Sequence, residues 1–184
     1  MSDPLDVPSL CEAFQNTVAA TGDVVALRTP GGGQEITWQE YGERVRRFAE
    51  GLAALGVGHG DTVGIMLTNR PEFALVDTAA LHLGAVPFSI YNTSAPEQIA
   101  YLFGNAGNRV VVTEQQFLSQ VLAAGTDVEV VVSVDGGEGT TSLEDLASRT
   151  VNGFDFEACW RAVGPDDVLT LIYTSGTTGP PKGV

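Results

Sequence analysis

Along most of the chain, apolar positions switch between a helical period and short continuous runs, which predicts alternating helices and strands. Residues 9–20 read as an opening helix. Residues 24–28 and 34–37 read as two short strands, turned by Pro30, Gly31, Gly32 and Gly33. Thr37 then opens a helix, with Glu40 placed where a hydroxyl and a carboxylate cap each other's backbone amides. Tyr41, Val45, Phe48, Leu52 and Leu55 recur at steps of four and three, so one face is buried while Arg44, Arg46, Arg47 and Glu50 lie mostly elsewhere. Gly56 supplies the stop.

The same logic continues downstream. A strand over 62–67 leads to a helix from Pro71 to Leu83, closed by Gly84, and then to a strand over 86–90. Ser94 with Glu97 reads as a second capping box, opening a helix over 95–105. Strands over 109–113, 128–134 and 168–173 and helices over 115–124 and 142–148 complete the series, with a glycine-rich turn at 136–139. The runs Val110, Val111, Val112 and Val130, Val131, Val132 are too continuous for strands with one wet face, so they suit a sheet covered on both sides. The expected fold class is α/β: a doubly wound, mostly parallel sheet flanked by helices, with a short β-hairpin near the N-terminus and ligands at the carboxyl ends of the strands.

Composition narrows the partners. The chain has 184 residues, 43% hydrophobic, which suffices for one sizeable core without disulfides or structural metal. Nine basic residues against 23 acidic ones give a net charge of -14, a surface that repels nucleic acid and anionic membranes. Eight of the nine bases are arginines, and Lys182 is the one lysine, so a polyanion must be handled at one local site. Cys11 and Cys159 form no CxxC or Cys/His cluster, which argues against zinc and against a disulfide-stapled secreted module. Met1 is followed by Ser2, Asp3, Pro4 and Asp6 rather than by a basic, then apolar, leader. Residues 73–90 are broken by Asp77, His82, Gly84 and Pro87 and do not read as a membrane span. A cytoplasmic setting is expected.

The candidate chemistry lies at 169–184, LTLIYTSGTTGPPKGV. An apolar strand runs into Thr174, Ser175, Gly176, Thr177, Thr178 and Gly179, then Pro180, Pro181, Lys182 and Gly183. Glycines let backbone N–H groups face an anion, hydroxyls donate to phosphate oxygens, and lysine adds a compact positive charge. The prolines stiffen the approach to Lys182. The Walker A pattern is absent, since Pro181 precedes the lysine and Gly183 follows it.

Residues 173–183, YTSGTTGPPKG, resemble the phosphate-binding signature of the adenylate-forming enzymes: acyl-CoA synthetases, luciferases and the adenylation domains of peptide synthetases. Residues 36–45, ITWQEYGERV, and 81–87, LHLGAVP, resemble that family's first and second core motifs. Tyr91, Asn92, Thr93, Ser94 and Ala95, followed by Glu97, Gln98 and Ile99, look most like long-chain fatty acyl-CoA ligases. The resemblance implies a two-step reaction. A carboxylic or fatty acid attacks the α-phosphate of ATP with Mg2+ to give an acyl-adenylate and pyrophosphate, and the thiol of coenzyme A then displaces AMP. Thr174, Ser175, Gly176, Thr177, Thr178, Gly179 and Lys182 would cradle the β- and γ-phosphates.

The resemblance covers the whole chain, but residues 1–184 correspond to the N-terminal portion of the family's AMP-binding domain, ending just after the loop at 173–183. The adenine and ribose segments, the hinge and the C-terminal catalytic lysine lie downstream in the family, and Lys182 cannot stand in for that lysine. No catalytic or metal-ligating residue is therefore assigned. The carboxylate of Val184 would also offset part of the attraction for phosphate. The expectation is a chain inactive alone that binds ATP weakly or not at all, and that self-associates or needs a complementing downstream polypeptide. The alternatives are a non-catalytic remnant of the same fold, or another branch such as a fatty acyl-AMP ligase or a peptide-synthetase adenylation domain. A small phosphotransferase fits less well, because it needs a helix and a magnesium-binding hydroxyl beyond the loop.

Other polar residues read as structural. Arg44, Arg46 and Arg47 sit among Glu40, Glu43 and Glu50 as a solvated helix face. His59 and His82 show no partner at metal or triad spacing, Asp166 and Asp167 fit a strand-entry turn, and Trp38 and Trp160 fit packing.

Overall fold

Side-chain caps set the starts of four helices. The computed structural model describes residues 7–125, 128–174 and 181–184. Helix α1 (Leu10–Thr21) starts where the Ser9 hydroxyl accepts the Glu12 N–H. Strands β1 (Val25–Arg28) and β2 (Glu35–Thr37) pair antiparallel around a turn in which Gly31 takes φ 76°. Helix α2 (Trp38–Ala54) carries both halves of the expected capping box: Glu40 N–H donates to Thr37 Oγ1 at 3.3 Å and Thr37 N–H to Glu40 Oε2 at 2.9 Å.

There follow β3 (Thr62–Met66), α3 (Pro71–His82), β4 (Val86–Ser89), α4 (Pro96–Ala106), β5 (Val110–Thr113), α5 (Gln115–Ala123) and β6 (Val130–Ser133). Then come β7 (Thr141–Ser142), α6 (Leu143–Ser148), α7 (Phe156–Arg161) and a hairpin of β8 (Tyr173–Thr174) and β9 (Lys182–Gly183). The main sheet runs β4-β3-β5-β6-β7, and every neighbouring pair is parallel. Side chains alternate across it. Val110 and Val112 join Leu52, Leu75, Val76 and Leu146 under α2, α3 and α6, whereas Val111 joins Ile99, Phe103 and Phe117 under α4 and α5. The result is the doubly wound α/β sandwich, with the antiparallel N-terminal hairpin.

Three expectations are corrected. Helix α4 does not start from a Ser94–Glu97 capping box. Pro96 at the first helical position holds Ala95 in extended backbone, and the Gln98 side chain accepts the Ala95 N–H at 2.9 Å. Residues 168–173 do not form a full, buried strand. Leu171 makes a single parallel bridge to Phe88 of the edge strand β4, and Val168, Leu169 and Ile172 remain 59%, 46% and 60% exposed. Helix α7, one and a half turns capped by Asp155, lies where no element was expected, too short to show a period.

Candidate functional site: a lysine hairpin beyond the sheet edge

The bridge between Phe88 and Leu171 sets residues 169–174 running parallel to β4, so Thr174 lies past the carboxyl end of that strand. This is the end of a parallel sheet at which ligands bind. Two residue pairs define the hairpin, Tyr173 opposite Gly183 and Thr174 opposite Lys182. Residues directly opposite in an antiparallel pair share a face. Tyr173 turns inward, 5% exposed and edge-on to Phe88 with ring centroids 5.7 Å apart. Thr174 and Lys182 are both exposed, side by side on the other face. The fold thus places the lysine next to a hydroxyl on one surface, a pair suited to phosphate oxygens. Of the expected phosphate-binding residues, Thr174 and Lys182 are brought together, whereas Ser175, Gly176, Thr177, Thr178 and Gly179 lie outside the described residues.

The crevice between β3 and β5, where the direction of winding reverses, is occupied by an ion cluster that the sequence did not announce. Arg70, at the N-cap of α3, donates from Nε to Glu72 at 2.8 Å and from Nη1 to Glu114 at 2.8 Å and Asp135 at 3.0 Å. Glu114 is 3% exposed and also accepts the Thr68 N–H, the Thr68 hydroxyl and the Gln116 side-chain N–H. Burial works to raise its pKa, but Arg70 and these donors together hold the carboxyl below its usual range. Asp135 is lowered likewise, with the Gln115 N–H and Arg70 outweighing burial. Three carboxylates thus engage Nε and Nη1 of the guanidinium and offset its charge. Glu72 is a local partner, but Glu114 and Asp135 are 44 and 65 residues away in sequence, which is why no local motif shows the cluster.

Both histidines have partners beyond the reach of local spacing. His59 Nε2 lies 3.1 Å from Asp167 Oδ1, whose other oxygen accepts the Gly164 N–H at 2.8 Å. A turn is present at Asp166 and Asp167, with the pair to His59 in addition, but the full strand it was expected to enter is not formed. His82 is fully buried between Phe14 and Phe156. Its Nδ1 faces the Thr78 carbonyl at 2.8 Å and so carries the proton, leaving Nε2 to accept from the Gln15 amide at 3.0 Å. Desolvation pushes it down to about 4, so it is neutral and structural. An apolar cavity of about 350 Å³ lies against Cys11, Leu81, Ala85, Val163 and Val168. The Cys11 thiol donates to the Leu81 carbonyl, and burial raises its pKa to about 11, which makes it a poor nucleophile. No group of three or more His, Cys, Asp or Glu suited to a metal ion exists among the described residues, and no described helix is long and apolar enough to cross a membrane.

The fold is that of the N-terminal subdomain of adenylate-forming enzymes. The chain belongs to the AMP-binding enzyme family, which matches residues 14–184. An uncharacterized protein of Mycobacterium tuberculosis is 53% identical over 128 residues, covering 70% of this chain and 73% of that protein. Long-chain-fatty-acid–CoA ligase FadD15 of Mycobacterium bovis is 34% identical over 155 residues, covering 81% of this chain but 26% of the ligase. The crystal structure of the anthranilate CoA ligase AuaEII with anthranoyl-AMP superposes with a TM-score of 0.85 at 24% identity, over 99% of this chain and 36% of that one. The chain thus spans about a quarter to a third of the ligases it matches.

Proposed function

We propose that this chain supplies the phosphate-binding part of an ATP-dependent acid–thiol ligase, most like a fatty-acid–CoA ligase. The observation that carries the reading is the shared exposed face of Thr174 and Lys182 beyond the carboxyl end of β4, in a chain of the AMP-binding family. Lys182 would neutralise charge on the β- and γ-phosphates of ATP, and the Thr174 hydroxyl would donate to a phosphate oxygen, steadying pyrophosphate as it leaves the acyl-adenylate. Magnesium would arrive on the nucleotide, as this ion is held mainly by phosphates and water. Coenzyme A would enter in the second step as the thiol acceptor. Ser175, Gly176, Thr177, Thr178 and Gly179 are proposed as the remaining phosphate contacts, on their sequence pattern.

The fatty-acid assignment rests on residues 91–99 and on the likeness to FadD15, whereas the likeness to an anthranilate ligase supports the fold and not the acid. The ligases it matches extend well beyond this chain, so residues 1–184 alone are proposed to lack ligase activity and to require a complementing polypeptide. ATP–pyrophosphate exchange with a panel of fatty acids tests this. No exchange is expected from residues 1–184 alone. Turnover that vanishes in Lys182→Ala would refute the insufficiency, and would place the lysine in the reaction.

A further inference from the structure

Helix α4 holds both arms of the lysine hairpin. Tyr101 and Asn105 are four residues apart and share a face of the helix. The Tyr101 hydroxyl donates to the Pro181 carbonyl at 2.9 Å, one residue before Lys182. The Tyr173 hydroxyl donates to Asn105 Oδ1 at 2.8 Å, one residue before Thr174. Each arm is thus tied to the same helix immediately ahead of its exposed polar residue. Gly183 closes the arrangement: a Cβ there would stand 3.2 Å from the Tyr173 ring, so the strand lies flat on the tyrosine because it carries no side chain.

A hairpin of two residue pairs, extended only by the backbone bonds between Ile172 and Val184, has little stability of its own. What fixes its place must come from outside it. Tyr173 is buried and does this for β8, but the β9 arm is exposed, and among the described residues the bond from Tyr101 is the side-chain tie that reaches it from the body of the protein. We infer that Tyr101 is a positioning residue for Lys182: through the Pro181 carbonyl it sets where the lysine stands relative to Thr174, and so the affinity of the pair for polyphosphate. This rests on the phosphate reading proposed above.

The single lysine makes the test direct, because 15N-lysine labelling of the whole chain gives one backbone resonance, that of Lys182. In Tyr101→Phe the exposed ring is kept and only the hydroxyl is lost, so the fold is expected to stand. The Lys182 resonance should move toward its random-coil position, and the apparent dissociation constant for tripolyphosphate, read from the same peak, should rise about fivefold, the worth of one hydrogen bond. Asn105→Ala, which frees the other arm, should shift the resonance as well. An unchanged Lys182 resonance in Tyr101→Phe would overturn the inference, whatever happens on titration. A resonance that responds to Tyr101→Phe but ignores tripolyphosphate in the parent would uphold the positioning and overturn the phosphate reading instead.

Discussion

Asp77 and His82 lie five positions apart on α3, and acid acts on them with opposite signs. Burial pushes the Asp77 carboxyl up from 3.8 to about 6. Its charge therefore opposes folding above pH 6, and the cost is relieved as pH falls through 6 toward 3.8. His82 is lowered from 6.5 to about 4, so its contribution is intact above pH 6.5 and is lost as pH falls toward 4, where the unfolded chain takes up the proton first. Over the shared window the two nearly cancel, which predicts a flat stability profile between pH 6 and 4. Asp77→Asn removes one of them. It is expected to stabilise the chain by about 1–3 kcal/mol at pH 7, since each tenfold change in proton affinity is worth about 1.4 kcal/mol, and to unmask a steep acid loss from His82. Urea denaturation followed by tryptophan fluorescence at pH 4, 5.5 and 7 reads this out. An equal gain at pH 4 and pH 7 would show that Asp77 carries no buried charge.

At the scale of elements, two glycines in helices separate propensity from packing. Gly51 in α2 faces α6 so closely that a Cβ would overlap the Leu146 carbonyl oxygen and stand 2.9 Å from its carbon. Alanine would gain about 0.5–1 kcal/mol of helix propensity but would overpack a backbone that cannot swing aside, at about 1–3 kcal/mol. Overpacking wins, so Gly51→Ala should lower stability. Gly104 in α4 has nothing within 4 Å of the same position, and Gly104→Ala should raise stability by about 0.5–1 kcal/mol. Thermal unfolding of the two variants should move in opposite directions, and a gain in both would refute the close approach of α2 and α6. This contact is invisible in sequence. What was legible is what local chemistry decides: the Thr37–Glu40 box, Pro71 opening α3, Gly84 closing it, and the valine runs of β5 and β6. What was not is decided by distant residues or by exposure. The His59–Asp167 pair spans 108 positions, the Arg70 cluster draws on three elements, and 168–173 looks like a core strand although its neighbour is the sheet's edge. In the candidate site, the strand-then-lysine pattern was readable, but not the tie from Tyr101 to Pro181, 80 residues apart.

For the molecule as a whole, the edge beside β4 and the net charge of -14 act against each other. Val168, Leu169, Ile172 and Val184 present apolar side chains along one exposed segment and its paired neighbour, with Ile172 and Val184 exchanging backbone hydrogen bonds of 2.9 and 3.1 Å. An open, apolar sheet edge is a template for a second copy of the chain. Against this, like charge keeps copies apart, but that repulsion is screened beyond about 8 Å at physiological ionic strength and beyond about 3 Å at 1 M salt, while apolar contact is not screened. Screening therefore decides which term prevails. Light scattering should give the monomer mass of 19.3 kDa at low salt and a rising mass as salt is added. Replacing Leu169 and Ile172 together by lysine puts charge on the edge without touching the core, and should hold the monomer mass throughout. If the parent chain stays at 19.3 kDa across the whole salt range, self-association through this edge is wrong.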